Sequence, residues 1–343
     1  MPGPRLLSTI VRSLGVLSAI GFLFLGYVFA VSEWKMRRSY DAPLVLLRPA
    51  KPPDLVAGRH MAKIAGCWAG CHGNEGEGGF ESIKDIHRSA APTLSQVLPQ
   101  YADDELTRLI RYGVKRDGKS SIGMIAYATW PLGDQDLADI IAHLRAQPVL
   151  PPVERSHDFT LRGRWAMVTG KWGVDAAMVN QSLPRWGELS RDTPFERGRY
   201  LASVVCAACH GRNLRGSALE STPSLTIVGA YSEEQFRQLL RTATAAGGRE
   251  VKRMSWVRNV EFSDQEIDDL YAFLREHDGQ QIVFGNESAP PSAVRDKDRR
   301  AAGPVTPNYA MQRSARVFTP LAGITSGSPR FRSASGAPTA RRR

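Results

Sequence analysis

Cysteine is scarce in this chain, whose 343 residues contain only four. They form two close pairs, Cys67 with Cys71 and Cys206 with Cys209, and a histidine follows each pair directly. Two disulfides, a dithiol redox centre or a zinc site could use such cysteines. None of these explains why a histidine follows both pairs, so the pattern favours a chemistry that uses cysteine and histidine together.

An excess of charge is also missing from the middle of the chain, although the formal net charge is +11. Residues 1–50 carry six Lys or Arg against two Asp or Glu, and residues 285–343 carry eleven against three. Residues 51–284 carry 28 basic and 29 acidic side chains. No basic face interleaved with aromatic residues lies between the ends, so the charge does not indicate a nucleic-acid partner.

The second cysteine pair reads Cys206-Ala207-Ala208-Cys209-His210, which is the C-x-x-C-H attachment signal for a c-type haem. Residues three apart on a helical turn face the same side, so both thiols reach one edge of the porphyrin and form thioethers. The histidine that follows is then placed to bind the iron from one face.

The first pair reads Cys67-Trp68-Ala69-Gly70-Cys71-His72 and has one more residue between its cysteines. Residues four apart still share one face of a helix, and Gly70 suits the unusual backbone that an extra residue requires. Two interpretations stay open: both thiols bind haem, or Cys71 alone binds it and Cys67 is free.

An uncharged segment, Ser13 to Ser32, is long enough to cross a bilayer as a helix. We favour an uncleaved signal anchor; the alternatives are a secretory signal cut near Ala30 and a buried helix of a soluble protein. Basic residues flank both sides and do not set the orientation. Covalent attachment of haem c takes place outside the bacterial cytoplasm, so we expect the chain after Trp34 in the periplasm.

The rest of the chain repeats one order of features, which is stronger evidence than either motif alone. Each copy has a short helix before the cysteines, a Pro-x-Leu segment, an amphipathic helix, a loop with methionine and a closing helix. The matching features are Pro92 and Pro223, the helices YADDELTRLIRY and YSEEQFRQLLR, Met124 and Met254, and the closing helices that start near Asp134 and Asp264.

These features predict an all-α fold of two tandem domains behind an N-terminal transmembrane helix. The predicted segments are a cytoplasmic N-terminus (1–12), the transmembrane anchor (13–34), a Pro-rich extended spacer (35–54), domain 1 (55–148), an apolar interdomain connection (149–194), domain 2 (195–284) and a basic, disordered tail (285–343).

At this point the chain resembles the class I cytochromes c of bacteria, over residues Gly58 to Gln147 and Glu196 to Asp278. In that family a methionine after the second helix is the distal iron ligand, and a proline carbonyl accepts from the proximal histidine. The resemblance therefore implies two covalently attached haem c groups. The implied iron ligands are His72, Met124, His210 and Met254, and the implied proline acceptors are Pro92 and Pro223.

The layout resembles membrane-bound cytochrome subunits that accept electrons from a periplasmic dehydrogenase and pass them to a terminal oxidase or a soluble cytochrome. Histidine and methionine at both axial positions leave no open site, which favours an electron carrier over an enzyme. The alternatives are a dihaem peroxidase or thiosulfate-type oxidoreductase with one open haem site, and a module whose main task is assembly of a larger complex.

Overall fold

The structure is a computed structural model that describes residues 4–68, 70–83, 86–153, 156–218 and 221–277. These residues belong to one compact unit of the chain. The fold is mostly helical, with a few short strands. The tail predicted for residues 285–343 lies outside the described residues.

The first helix, α1, spans Pro4–Arg37 and contains the predicted membrane anchor. It begins before and ends after the predicted 13–34 range. Its stretch Ser8–Arg37 is long and apolar enough to cross a membrane. Most of its described side chains up to Tyr27 are exposed, as expected for a helix that does not pack into the protein core.

We call residues 55–148 the first half of the protein and residues 195–277 the second half. The segment after α1 was expected to be an extended spacer, and the structure shows that it is bound along a helix of the first half. The backbone N–H groups of Arg48 and Asp54 donate to the side chains of Asp134 and Asp139 over 2.8 Å. Proline keeps this segment extended, and the carboxylates of a helix N-terminal half hold it in place.

The first half consists of short elements after the spacer. They are α2 (Leu55–Ile64), β1 (Gly79–Ile83), β2 (His87–Ala91), α3 (Leu94–Val97), a 3-10 turn (Leu98–Gln100), α4 (Asp103–Tyr112), α5 (Ala126–Thr129) and α6 (Asp134–Arg145). Asp54 caps α2 by accepting from Val56 N and Ala57 N. The closing helix α6 turns an apolar face to the core, because Leu137, Ile140, Ile141 and Leu144 are all buried.

A three-stranded antiparallel sheet departs from the predicted all-α fold. β1 and β2 form a hairpin between the first cysteine pair and Pro92, and β3 (Ser156–Phe159) from the interdomain connection pairs with β2. The strands have only four or five residues and lack a clean polar–apolar alternation. Because β3 lies far along the chain from β2, a local sequence pattern does not predict this pairing.

The interdomain connection packs against the rest of the protein, as its apolar composition predicts. After β3 it forms α7 (Leu161–Val168), α8 (Asp175–Met178) and a 3-10 turn (Trp186–Glu188). Met167 is fully buried, and Gly187 N donates to Pro131 O over 2.8 Å. The connection is therefore an ordered part of the fold.

The second half repeats the helix order of the first, and none of the three strands of the sheet comes from its described residues. Its elements are α9 (Pro194–Leu201), a π-helical turn (Ala202–Cys206), α10 (Ala207–His210), a 3-10 helix (Leu225–Ala230), α11 (Glu233–Thr242), a 3-10 helix (Lys252–Val260) and α12 (Asp264–Leu274). The capping boxes Ser232–Gln235 and Ser263–Glu266 start α11 and α12.

The first and last helices of each half cross at a glycine. A Cβ atom on Gly58 of α2 would lie 2.0 Å from the Asp139 carbonyl oxygen of α6. A Cβ atom on Gly198 of α9 would lie 1.8 Å from the Asp269 carbonyl oxygen of α12. Only glycine permits so close an approach of two helix backbones. The same crossing is thus built twice.

An arginine makes the same contacts in both halves, although it is buried in the first half and exposed in the second. Arg111 at the end of α4 donates to Leu132 O and to the Asp134 carboxylate. Its counterpart in α11, Arg241, donates to Phe262 O and to the Asp264 carboxylate. Each arginine ties the amphipathic helix to the start of the closing helix.

Candidate haem-binding sites

His210 lies at the end of α10, where Gly211 at φ 79° stops the helix. Its Nδ1 lies 2.9 Å from the Pro223 carbonyl oxygen. A carbonyl oxygen can only accept, so Nδ1 carries the proton and Nε2 keeps its lone pair for a metal. Burial lowers the pKa of His210, which further favours the neutral imidazole that binds iron.

His72 has the same arrangement in the first half. Its Nδ1 lies 2.9 Å from the Pro92 carbonyl oxygen, and burial lowers its pKa. The β1–β2 hairpin separates this histidine from its proline, whereas the shorter segment between His210 and Pro223 contains an isolated bridge of Ser217 with Thr222. The contact is nevertheless the same, so both halves orient a histidine in the way that the resemblance implies.

A backbone hydrogen bond closes a short loop after each histidine, and this loop directs the chain back toward the proline beside the ring. Gly78 N donates to His72 O and Gly216 N donates to His210 O, each over 2.8 Å. Both glycines have a positive φ, 91° and 87°. A Cβ atom on Gly216 would lie 2.5 Å from Thr222 O. Glycine is therefore required here both for its backbone angle and for its lack of a side chain.

None of the four cysteines, all of which lie in the described part of the chain, forms a disulfide, and each is half-buried. Burial raises the pKa of Cys67 to about 11. Burial and the neighbouring Cys209 raise the pKa of Cys206 to about 12. These two thiols stay protonated at neutral pH, whereas a dithiol redox centre needs a thiolate. A neutral sulfur in apolar surroundings suits a thioether to a porphyrin.

The backbone at both cysteine pairs forms a hydrogen bond between residues five apart, as in a π-helical turn. Cys71 N donates to Gly66 O over 3.1 Å, and Ala207 N donates to Ala202 O in the π-helical turn. In the first pair, a Cβ atom on Gly70 would lie 2.6 Å from Gly66 O. Gly70 is thus needed for close approach rather than for a left-handed angle. Attachment of haem to Cys67 stays a prediction.

Met124 lies in a constrained loop that a residue of the interdomain connection holds. The loop contains Gly123 at φ 82° and Ile125 at φ 55°. The Asp175 carboxylate accepts from Met124 N over 3.1 Å and from Ile125 N over 2.9 Å. Asp175 is buried, and burial raises its pKa. A single acid in the connection carries no recognisable sequence signal, so sequence reasoning missed it.

Met254 is held differently, by the backbone of its own segment. It was expected in a loop, and the structure places it in the 3-10 helix Lys252–Val260. Its N–H donates to Val251 O over 2.8 Å. Both Met124 and Met254 are half-buried and pack against the hydrophobic core. Their role as iron ligands stays a prediction.

A hydrogen bond joins the methionine loop of the first half to the cysteine motif of the second. Tyr127 in α5 donates its hydroxyl to Ala208 O over 3.1 Å. Ala208 lies between Cys206 and Cys209, and Tyr127 lies three residues after Met124. The two candidate sites are therefore adjacent, and one side of the first contacts the attachment segment of the second.

Ionic and polar contacts fasten the two halves elsewhere. The His60 ring lies 2.7 Å from the Glu266 carboxylate, which raises the pKa of His60. The Tyr200 hydroxyl donates to the Asp136 carboxylate over 2.7 Å. One hydrophobic core also runs through residues of both halves. The halves are thus held in a defined mutual position.

A surface cleft of about 630 Å³ lies between the halves, but its lining does not suit haem. It is bordered by Arg59, Lys63 and His143 of the first half and by Arg258 and Glu261 of the second. Haem sites are apolar around the ring, and none of the predicted iron ligands is among the described residues that line this cleft. We assign no cofactor to it.

The sequence model of the cytochrome c family matches residues 195–278. This part of the chain is therefore a cytochrome c domain, which implies a covalently bound haem c and haem-based electron transfer. The boundaries include α9 to α12, both cysteines of the second pair, His210, Pro223 and Met254. No curated protein matches the chain.

Proposed function

We propose that the chain is a dihaem c-type cytochrome that carries single electrons at the periplasmic face of the bacterial cytoplasmic membrane. Residues 195–278 supply one haem domain, and residues 55–148 supply a second. The observation that carries the proposal is the repeated histidine contact, with both Nδ1 atoms 2.9 Å from a proline carbonyl oxygen. A cysteine directly precedes each of these histidines.

The chain's own residues fit a haem in both halves. Each histidine keeps Nε2 available for iron, and a half-buried methionine follows the amphipathic helix of the same half. The helix crossing at glycine occurs in both halves, and so do the contacts that Arg111 and Arg241 make with a carbonyl oxygen. These repeated contacts support a second cytochrome c domain in residues 55–148.

A bound haem supplies a one-electron Fe(III)/Fe(II) couple. The histidine and methionine of each half would hold the iron and leave no place on it for small molecules. The half-buried cysteines would hold the haem covalently, and the proline carbonyl orients the histidine ring. This arrangement serves electron transfer and leaves no position for a substrate, so we propose a carrier rather than an enzyme.

We also propose the location and the partners from the same features. Helix α1 anchors the chain in the membrane, with residues 1–12 in the cytoplasm and the haem domains in the periplasm. A periplasmic dehydrogenase is the proposed electron donor, and a terminal oxidase or soluble cytochrome is the proposed acceptor. The first half and the second half then form two successive redox centres on one chain.

The number of haems tests the proposal. A pyridine haemochrome spectrum with intact mass should give two haems per chain, and His72→Ala and His210→Ala should each disturb a different one. A red-shifted haemochrome band would report a single thioether, at Cys71. One haem per mature chain would refute the second domain, and full uptake of carbon monoxide by the reduced protein would instead favour an enzyme with an open haem site.

A further inference from the structure

Helix α7 of the interdomain connection packs beside the C-terminal half of α1. The ring of Trp165 in α7 lies 5.2 Å from the ring of Phe24 in α1. Val28 and Ser32 of α1 are fully buried, in contrast with the exposed side chains of its upstream part. A short helix of the periplasmic part thus covers one face of the proposed membrane span.

Polar contacts hold α7 firmly in this position. The Lys35 ammonium of α1 donates to Met167 O over 2.7 Å and to Val168 O over 3.2 Å, and so caps the C-terminal end of α7. Arg164 of α7 donates to Ser32 Oγ over 2.8 Å and to the Glu33 carboxylate over 2.9 Å. These four hydrogen bonds hold α7 against the C-terminal end of α1.

The length of the apolar segment of α1 determines where α7 lies relative to the membrane boundary. A bilayer core about 30 Å thick needs about 20 residues of helix, which is the whole of Ser13 to Ser32. Phe24 lies eight residues before Ser32, or about 12 Å along the axis at about 1.5 Å per residue. If the core ended at Phe24, about 12 residues would remain to cross it, too few to do so. The membrane boundary therefore reaches α7.

The outward face of α7 is apolar where the helix meets the proposed membrane boundary. Leu161 and Trp165 lie one helical turn apart and are 46% and 42% exposed. The opposite face packs tightly against the protein, where a Cβ atom on Gly163 would lie 2.1 Å from Ile86 O. Tryptophan is enriched at membrane interfaces, where its ring is apolar and its N–H remains hydrated.

The surroundings of this face are basic and aromatic, which suits anionic lipid headgroups. Arg37 ends α1 and Arg38 follows it, and the Arg38 guanidinium lies 4.7 Å from the ring centre of the exposed Trp34. Arg162 is exposed next to Leu161. Basic side chains near a membrane surface gain roughly 1 kcal/mol each from anionic lipid.

We propose that α7 is a second membrane contact, in which Leu161 and Trp165 embed in the outer interface of an anionic phospholipid bilayer beside α1. This inference rests on the proposed membrane span of α1. A single helix would leave the haem domains free to rotate over the membrane. The paired helices hold them in one orientation, which fixes the side that each redox centre presents to a membrane partner.

Lipid photocrosslinking of the full-length, haem-loaded protein tests the proposal. The protein is placed in nanodiscs of phosphatidylcholine and phosphatidylglycerol that contain a phospholipid with a diazirine in its acyl chain. After irradiation and digestion, mass spectrometry locates the label. We expect label in the peptides of α1 and of residues 161–168. The variant L161S/W165S should lose the α7 label and keep the α1 label.

The outcomes separate the two proposals. The variant L189S is the matched control, because Leu189 is 44% exposed but lies in the turn beside α6 and α9. It should keep both labels. Label on α1 alone in the parent protein would overturn the role of α7, and so would an α7 label that survives L161S/W165S undiminished. Label on neither helix would overturn the membrane span itself.

Discussion

Replacement of Gly198 by alanine tests the helix crossing that frames the second site. The new Cβ atom would lie 1.8 Å from Asp269 O, 2.6 Å from the carbon of that carbonyl and 2.8 Å from the Phe273 Cβ. Real Cβ atoms do not approach neighbours below 3.0 Å, so α9 and α12 must separate by more than 1 Å. The clash is with backbone and cannot be relieved by rotation of a side chain.

Two effects of opposite sign determine how much Gly198→Ala changes the free energy of unfolding. Alanine stabilises a helix interior by about 1 kcal/mol relative to glycine. Overpacking costs about 1–3 kcal/mol, and contact with backbone places this site at the upper end. The expected net loss is about 2 kcal/mol in the free energy of unfolding. For a unit of this size each kcal/mol lowers Tm by about 2–4 °C, so Tm should fall by about 4–8 °C.

The assay is thermal unfolding of the haem-loaded protein, followed by the Soret band. Gly21→Ala is the matched control, because a Cβ atom there meets nothing within 4 Å. Gly58→Ala, with its Cβ 2.0 Å from Asp139 O, should destabilise the first half in the same way. If Gly198→Ala melts at the temperature of the control, the proposed role of the glycine crossing is wrong.

Three further changes give distinct results. Asp175→Ala removes the acceptor of two partly buried N–H groups, at about 1 kcal/mol each, and should weaken methionine ligation in the ferric spectrum of one haem only. Glu266 raises the pKa of His60, so their ion pair should contribute its full stability below about pH 6.5. This contribution should be lost as the pH rises through the raised pKa of His60. His60→Gln should therefore remove this dependence of Tm on pH. Tyr127→Phe removes the hydrogen bond to Ala208 O and should lower the urea unfolding midpoint, by about 1 kcal/mol of stability, with an unchanged slope.

Controls define what would contradict these expectations. Asp158→Ala, at an exposed acid of β3, should leave both haem spectra unchanged, and equal spectral loss in both acid variants would argue against a positioning role for Asp175. If Tm of His60→Gln depended on pH as strongly as in the parent protein, another titratable group would be the cause. An unfolding curve of Tyr127→Phe that overlays the parent curve would show that this bond does not couple the halves.

Much of the local structure follows from sequence pattern alone. The helices around Leu106 and Leu137 have clear helical periodicity, and the structure forms both as α4 and α6. The family match to residues 195–278 agrees with the domain indicated by Cys206 to His210. Short strands such as β3 have no such periodicity, and their pairing depends on distant chain segments. The all-α prediction failed there for that reason.

The sequence by itself determined the chemistry that this protein can perform, because the Cys-His motifs, the prolines and the repeated order of helices are local patterns with a fixed chemical meaning. Only the tertiary structure decided which distant residues serve them. Asp175 reaches the Met124 loop from the connection, Tyr127 reaches the second cysteine motif, and α7 lies against α1. These contacts join residues far apart in the chain, and no local periodicity or spacing encodes them.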